Sequence, residues 1–198
     1  TLSQINLGLT TSDSTLQGVV YNAFPDEGKK AGELTFKGEA NLFLANGAAW
    51  MNEKYGDTGT SWGGKNFEGS HLTRLAGGVS ADKAGQIFQK DTGNITVDNY
   101  SGYTDVYYAH EETAPKTMIG GDFIIRKAAS GSGISLITDN KGLNTSSEAS
   151  ADKNLVSETL NALANKLFYK AYADGEHNLT GFVKIAEGSY CLMKSFVP

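Results

Sequence analysis

Short apolar runs recur along this chain, and each run is bounded by Gly, Asn, Asp or Ser. The runs are rich in β-branched and aromatic side chains, which is typical of β-strands. Residues 93–110 and 121–138 each contain two such runs separated by a polar segment, although few of their residues are identical. An offset of 28 residues places Ile95 on Phe123 and Val106 on Ile134. The pattern therefore predicts a repeating β-structure.

The segments between paired runs decide between a meander of hairpins and a stack of coils. Residues 98–105 and 126–133 are equal in length and too long for the two-residue turns of tight hairpins. Repeats of about 20 to 50 residues are typical of solenoids, in which each coil covers the next. We therefore predict stacked coils in which the apolar sides of the strands line a common interior and Ile95 lies over Phe123.

Residues 150–175 do not follow the strand pattern. Their apolar side chains recur at helical i, i+4, i+7 and i+11 spacing, at Val156, Leu160, Leu163 and Leu167. Ser150 or Asp152 can cap the start of a helix, and Gly175 lies just beyond a suitable end. We predict one amphipathic α-helix inserted near residues 152–170 and packed against the stack.

Composition and charge narrow the class of protein. The chain has 198 residues, a formal net charge of −5 and no cluster of Lys and Arg, which argues against a nucleic-acid partner. Its 24 glycines and 3 prolines favour many tight turns within one domain. The single cysteine, Cys191, cannot form an internal disulfide. No apolar run approaches the length of a membrane-spanning helix, so we expect a soluble chain.

Four stretches, in this order, resemble the repeat region of passenger domains of bacterial autotransporters, the adhesin- and haemagglutinin-like proteins of type V secretion. They are residues 94–111, 120–142, 152–172 and 178–188. The resemblance implies an all-β fold, the right-handed parallel β-helix (solenoid), on a protein exported by a Gram-negative cell. It also implies that membrane anchoring occurs only through a C-terminal barrel, which this chain lacks.

The resemblance ends near the C-terminus. We assign residues 1–188 to a single β-helical passenger segment, because a passenger would continue into further coils after residue 188. Residues 189–198 differ in composition and are assigned to an atypical tail. This tail is either native or a cloning remnant.

The sequence contains no recognisable catalytic or metal-binding motif. His71, His110 and His177 are isolated, and the His-Glu-Glu triplet at 110–112 lacks the second histidine of a helical zinc site. No Gly-x-Ser-x-Gly motif occurs, and Cys191 has no base beside it in sequence. We therefore predict no catalytic residue, no metal site and no cofactor, and we expect that the protein is not an enzyme.

Charged side chains occur at repeat positions without forming a catalytic pattern. Under the 28-residue offset Asp98 falls on Arg126, which predicts a structural charge pair between neighbouring coils. Asp105 falls on Gly133 under the same offset. The offset therefore does not place carboxylates beside one another in neighbouring coils, whereas a sugar-cleaving enzyme would require a pair of carboxylates.

Aromatic side chains cluster between the two apolar runs of the first repeat. Tyr100 and Tyr103 lie in a predicted turn, where tyrosines can stack on sugars or anchor a protein interface. We therefore predict Tyr100 and Tyr103 as ligand-binding residues. Tyr107 and Tyr108 are adjacent in a predicted strand and should point to opposite faces.

These observations, together with the resemblance, lead to one leading hypothesis and two alternatives. The leading hypothesis is a non-enzymatic passenger segment that is secreted or held at the bacterial cell surface and acts in adhesion or cell–cell association. Its partners would be a host or bacterial cell-surface protein or glycan, or further copies of the chain that associate through open coil ends. The alternatives are a carbohydrate-active enzyme (polysaccharide lyase or glycosidase) on a β-helix and a purely structural stalk.

Overall fold

The computed structural model describes residues 3–24, 36–54, 69–143, 153–186 and 190–196. In chain order its strands are β1 (Gln4–Leu9), β2 (Thr15–Gln17), β3 (Ala23–Phe24), β4 (Phe36–Lys37), β5 (Glu39–Leu44), β6 (Ala49–Asn52), β7 (Ser70–Ala76), β8 (Gly85–Gln89), β9 (Ile95–Ser101), β10 (Tyr103–Glu111), β11 (Ala114–Ile119), β12 (Phe123–Ala128), β13 (Ser132–Thr138), β14 (Leu167–Tyr169), β15 (Leu179–Ile185) and β16 (Tyr190–Lys194). The α-helix α1 spans Lys153–Ala164, and short 3-10 helices span Ala81–Lys83 and Lys170–Asp174.

The strands form two large sheets, between which the chain alternates. Sheet A has the order β1-β5-β7-β9-β12-β14, and all of its pairs are parallel. Sheet B has the order β2-β6-β8-β10-β13-β15-β16, in which β16 is antiparallel to β15 and β11 adds antiparallel to the end of β10. β3 and β4 form a separate antiparallel pair. Each of six strands of sheet A is followed along the chain by a strand of sheet B.

The prediction of an all-β, right-handed parallel β-helix is therefore wrong. The protein is mixed α/β, with one large parallel sheet and one large mixed sheet, and in the described part of the chain these sheets do not close into a solenoid. The periodic sequence encodes parallel pairing and one buried side per strand, and both features belong equally to a parallel sheet in a layered fold. Closure depends on the connections between strands, which the apolar period does not encode.

The 28-residue offset predicts which residues of neighbouring repeats pair across the sheets. This prediction is confirmed for the first apolar run of each repeat and is wrong by two residues for the second. Ile95 pairs with Phe123 as expected, but Val106 pairs with Leu136 and not with Ile134. The corner between β9 and β10 is a single residue, Gly102, whereas the corner between β12 and β13 spans residues 129–131. The longer corner thus places two additional residues before β13, and the pairing of β13 with β10 is shifted by two. Because the shift is even, every side chain keeps its predicted face.

One core lies between the two sheets and contains inward side chains from both of them. Its largest fully buried side chains are Trp50, Tyr100, Phe123, Leu44, Leu72, Leu75, Ile87, Ile95, Ile125, Leu136, Leu143 and Leu163. Burial alternates along β8 and β10, so one face of each strand is covered. The Trp50 indole N–H donates to the Gly18 carbonyl at 2.9 Å, which satisfies the one polar atom of this side chain.

A chain of buried polar groups lies at one margin of this core. The Ser70 hydroxyl donates to the Asn52 side-chain carbonyl at 2.6 Å, and the Asn52 amide donates to Gln89 at 2.6 Å. The Gln89 amide then donates to the Gly121 carbonyl at 2.9 Å, which also accepts from the Tyr108 hydroxyl at 2.7 Å. These bonds link β6 and β7 with the end of β8, with β10 and with the segment before β12. A buried polar network is stabilising only when its members are paired in this way.

The predicted helix is confirmed, although it ends earlier than expected. α1 spans Lys153–Ala164 and packs against β11, β13 and β15. Leu167, the last residue of the predicted stripe, is buried as part of β14. Gly175, with a φ of 85°, ends the second 3-10 helix and not α1. The predicted caps Ser150 and Asp152 lie outside the described residues.

The tail assigned to residues 189–198 packs onto the rest of the protein wherever it is described. Tyr190–Lys194 forms β16 along the edge of sheet B. The Phe196 ring lies 5.5 Å from the Tyr169 ring and 5.7 Å from the Tyr172 ring, measured between centroids. This segment therefore covers one end of both sheets, and its native or cloning origin stays a prediction.

Candidate functional site

Tyr100, one of the two predicted ligand-binding residues, lies in the core. Only 1% of its surface is exposed, because it occupies an inward position on β9 beside Leu75 and Ala128. Its hydroxyl donates to the Gly133 carbonyl at 2.6 Å and lies 2.6 Å from the Thr104 hydroxyl. Tyr100 is thus a hydrogen-bonded core residue, and its burial removes it from a surface site.

The burial of Tyr100 and Tyr108 predicts a loss of stability at alkaline pH. Burial raises the pKa of both phenols above the ordinary value of about 10. Because this pKa is higher in the folded than in the unfolded chain, the stabilisation is complete below about pH 10 and is lost as the pH rises above it. At pH 11 we expect the free energy of unfolding to fall by about 1 kcal/mol for each tyrosine.

Denaturant unfolding of the wild type, Tyr100→Phe and Tyr108→Phe between about pH 8 and pH 11 measures this effect. Each variant should lose about 1 kcal/mol at pH 8, because a buried carbonyl loses a donor, and should then show a shallower alkaline decline. An unchanged decline in both variants would contradict the assignment.

Tyr103, the second predicted ligand-binding residue, lies on the outward face of sheet B. It is half-buried at the start of β10, and its ring lies against the backbone of Gly133 on β13. A Cβ atom at Gly133 would lie 2.6 Å from Cε1 of the Tyr103 ring. Glycine at this position therefore lets the aromatic ring lie close to the sheet. Binding by Tyr103 stays a prediction.

Tyr103 forms one wall of a groove of about 270 Å³, which we name the Asp105 groove. The groove is lined by Ala81, Tyr103, Thr104, Asp105, Gly133, Ile134, Ser135, Thr180, Phe182 and Lys184. Its centre is set by register, because Asp105 on β10 pairs with Ser135 on β13, and Ser135 pairs with Phe182 on β15. Three parallel strands thus place an acid, a hydroxyl and an aromatic ring side by side.

The carboxylate of Asp105 is the unusual group of the groove. It is partly buried, and this burial raises its pKa, while the positive charge of Lys184 acts in the opposite direction. Among the described residues, no group donates a hydrogen bond to it, although it lines an open groove. Partial burial disfavours the charged carboxylate in the free protein, and a ligand that donates hydrogen bonds would stabilise this charge.

Lys184 places a positive charge beside the same groove. Its Nζ atom lies 5.8 Å from the centroid of the Phe182 ring, within cation–π range. Along the sheet Lys184 pairs with Ile137, which pairs with Tyr107. The groove thus combines two aromatic walls, one carboxylate and one cationic donor.

A second depression lies on the same face, nearer the C-terminal ends of the strands. It has a volume of about 230 Å³ and is lined by Phe88, Gln89, Lys90, Tyr107, Tyr108, Ala109, Ile137, Thr138, Asp139 and Ala186. Phe88 and Tyr107 are in register on β8 and β10, and their rings stack with centroids 4.9 Å apart and planes inclined by 14°. Tyr107 faces outward and Tyr108 faces the core, which confirms the prediction that they point to opposite faces of the strand.

The outward face of sheet A carries a separate charge network. Arg126 donates to Asp98 at 3.0 Å, which confirms the predicted pair, and Nε2 of His71 lies 2.8 Å from the same carboxylate oxygen. The three side chains join β7, β9 and β12. Because they are partly exposed, each pair is worth no more than about 1 kcal/mol, and we assign the network a structural role.

His110, from the His-Glu-Glu triplet, is held by oxygen atoms. Nδ1 lies 3.1 Å from the Glu111 carbonyl, and Nε2 lies 3.0 Å from the Asp139 carbonyl and 2.9 Å from the Asp139 carboxylate. These contacts join the ends of β10 and β13. The described residues contain no group of three His, Cys, Asp or Glu side chains placed to hold a metal ion.

Sequence reasoning missed most of the Asp105 groove. Asp105, Ser135, Phe182 and Lys184 come from three strands that are distant in the chain, and none belongs to a motif. The available signal was alternation, which places Asp105, Tyr103 and Tyr107 on one face of the same strand. The corner lengths that bring Ser135 beside Asp105 could not be read from the repeat offset.

Within the described ranges, no helix combines the length and apolar character needed to cross a bilayer. Comparison with protein-family models, with curated proteins and with solved structures gives no match to this chain.

Proposed function

We propose that this chain is a non-enzymatic binding module of an exported bacterial surface protein, and that it acts in adhesion by binding a glycan in the Asp105 groove. The observation that carries the proposal is the partly buried Asp105 carboxylate, which has no donor among the described residues and lines the same groove as the rings of Tyr103 and Phe182. A carboxylate accepts hydrogen bonds from sugar hydroxyls, and aromatic rings offer apolar surface to the C–H groups of a sugar.

The size of the groove favours a small ligand unit. At about 270 Å³ it lies just below the usual range for small-molecule sites, which suits one sugar unit of a longer chain. The second depression on the same sheet face offers room for a further unit. Many such contacts on a cell surface would add through multivalency, as adhesion requires.

Export and surface location rest on the resemblance of residues 94–111, 120–142, 152–172 and 178–188 to autotransporter passengers. That resemblance concerns sequence alone, and the proposal does not depend on a β-helical fold. A binding module needs only a rigid face that holds the groove residues in place, and three hydrogen-bonded parallel strands supply one.

The groove supports binding better than hydrolysis. Glycosidases use two carboxyl groups on opposite sides of the scissile bond, and Asp105 is the one acidic side chain among the residues that line the groove. A structural stalk would have no use for a partly buried carboxylate that lacks a donor, since its burial lowers stability. A glycan-binding site therefore accounts for more of the geometry than either alternative.

Asp105→Asn should weaken glycan binding about tenfold or more, since the amide replaces a charged acceptor. The same variant should be at least as stable as the wild type at pH 7. The raised pKa means that burial of the charged form opposes folding above the ordinary pKa of aspartate, and the neutral amide removes this penalty. A glycan array, calorimetric titration of its best ligand and thermal unfolding measure the two effects.

Asp98→Asn is the matched control, because Asp98 lies on the outward face of the other sheet and should leave binding unchanged. If no glycan binds the wild type, the stalk alternative gains and the proposal fails. Release of reducing sugar or unsaturated product from a bound polysaccharide would instead support the enzyme alternative. Binding that Asp105→Asn leaves intact would place the site elsewhere.

A further inference from the structure

β1 is an edge strand whose outer side is open. It is the terminal strand of sheet A, and within the described residues it pairs only with β5. Five of its six residues are exposed, and the sixth is half-buried. An open edge presents unpaired backbone N–H and C=O groups, which are a template for a further strand.

Two of the three apolar side chains that β1 turns toward the core, Ile5 and Leu7, are exposed. Ile5 and Leu7 pair with Ala40 and Leu42 of β5, and therefore point to the same inner face of sheet A. Ala40 and Leu42 are 4% and 3% exposed, whereas Ile5 and Leu7 are 68% and 39% exposed. In the part of the chain that the structure describes, no layer covers Ile5 and Leu7 at this end of the core.

The opposite end of the two sheets is covered. On β14, the last strand of sheet A, Leu167 and Tyr169 are buried, and the Phe196 ring packs against Tyr169. On sheet B the antiparallel β16 lies along the outside of β15. Among the described residues, the inward side chains of β14 are thus covered, whereas Ile5 and Leu7 of β1 are not.

The sequence of β1 lacks the usual protection of an edge strand. Gln4–Leu9 contains no charged residue and no proline, the features that commonly prevent edges from pairing. Its apolar residues, Ile5, Leu7 and Leu9, all lie on one face, and Gln4, Asn6 and Gly8 lie on the other. Glu39, the nearest charge by register, lies one strand back and accepts a hydrogen bond from Gln4 at 2.9 Å.

We propose that two copies of this chain associate end to end through antiparallel pairing of β1 with β1. A two-fold axis perpendicular to sheet A and placed between the edges keeps the inner face of one copy level with that of the other. Ile5 then lies opposite Leu7 or Leu9 of the second copy, and the two uncovered core ends close each other. Sheet A becomes continuous across the dimer.

Two registers satisfy this geometry, and both keep apolar side chains on the inner face. In the first, Asn6 lies opposite Asn6 on the axis. In the second, Leu7 lies opposite Leu7. The first also extends an amide ladder, because Asn41 already donates to Asn6 at 2.9 Å. A second copy is the occupant that fits best, since an uncharged strand with this alternation is complementary to itself.

Sedimentation velocity between about 1 and about 200 µM tests the association. The wild type should dimerise with concentration, and Leu7→Lys should raise the dimer dissociation constant about tenfold or more, because the ammonium would be buried in the contact. Val79→Lys is the control, since Val79 is 79% exposed and lies outside the strands. A wild type that stays monomeric, or a dimer that tolerates Leu7→Lys, would overturn the proposal.

Disulfide trapping then identifies the register. Cys191 is exposed, so Asn6→Cys, Leu7→Cys and the control Val79→Cys are each made in a Cys191→Ser background. Directly opposite residues of antiparallel strands are close enough for a disulfide. Cross-linked dimers from Asn6→Cys or from Leu7→Cys, but not from Val79→Cys, would support the pairing. Cross-linking of neither would overturn it, independently of whether the Asp105 groove binds a glycan.

Discussion

Gly121→Ala should lower the free energy of unfolding by about 3 kcal/mol, a large fraction of the stability of a domain this size. Gly121 lies in the corner before β12, against the corner that precedes β9. A Cβ atom there would lie 2.3 Å from the Gly93 carbonyl oxygen and 2.4 Å from its carbon, so backbone must move. The same movement would disturb the Gly121 carbonyl, which accepts hydrogen bonds from Gln89 and Tyr108.

Gly8→Ala is the matched control for this substitution. Gly8 also belongs to sheet A, and nothing lies within 4 Å of the position that its Cβ would take. Its stability should change by less than about 0.5 kcal/mol. Chemical denaturation of the two variants, followed by circular dichroism, provides the comparison. Equal stabilities would show that the two corners are not in close contact.

Asn52→Leu should destabilise the protein by about 3 kcal/mol, because it leaves two buried groups without their partner. The Ser70 hydroxyl would lose its acceptor, and the Gln89 side-chain carbonyl would lose its donor. Both groups are buried at the margin of the core, where water cannot replace the lost bonds without opening the structure.

Asn99→Leu makes the same chemical change at an exposed position. The Asn99 amide donates to the Thr73 carbonyl at 3.1 Å on the outward face of sheet A, so its loss should cost less than about 0.5 kcal/mol. In a double-mutant cycle, Asn52→Leu and Gln89→Leu together should cost less than the sum of the single changes. Additive effects would contradict a connected network.

The Asp105 groove depends on the core directly beneath it. The carbonyl of Gly133 accepts from Tyr100 on the inner side, and the Tyr103 ring covers the same glycine on the outer side. One backbone position is thus fixed from both faces of sheet B. A groove built on strands in this way is held more precisely than one built on loops, as a binding site requires.

The two proposals concern different parts of the molecule. The groove lies on the outward face of β10, β13 and β15, whereas the dimer contact lies at β1, at the edge of the other sheet. Asp105→Asn should leave the association unchanged, and Leu7→Lys should leave the intrinsic affinity of each groove unchanged. A dimer would present two grooves, so its avidity for a multivalent glycan surface should fall when Leu7→Lys separates the copies.

The sequence by itself determined the local features of this protein. Alternating apolar residues fixed which side of each strand is buried, as Tyr107 and Tyr108 illustrate. The repeat predicted that Ile95 lies beside Phe123 and that Asp98 meets Arg126, and the stripe at Val156, Leu160 and Leu163 predicted α1. These features follow from side-chain spacing along single strands or turns of helix, and spacing is present in the sequence.

Only the tertiary structure decided the rest. Two extra residues in one corner shifted β13, so that Ser135 lies beside Asp105. The predicted turn residue Tyr100 became part of a strand and entered the core, and the atypical tail became β16. The strands formed two sheets and not a closed helix. Corner lengths, sheet closure and the meeting of distant strands depend on contacts across the whole fold, and no local period encodes such contacts.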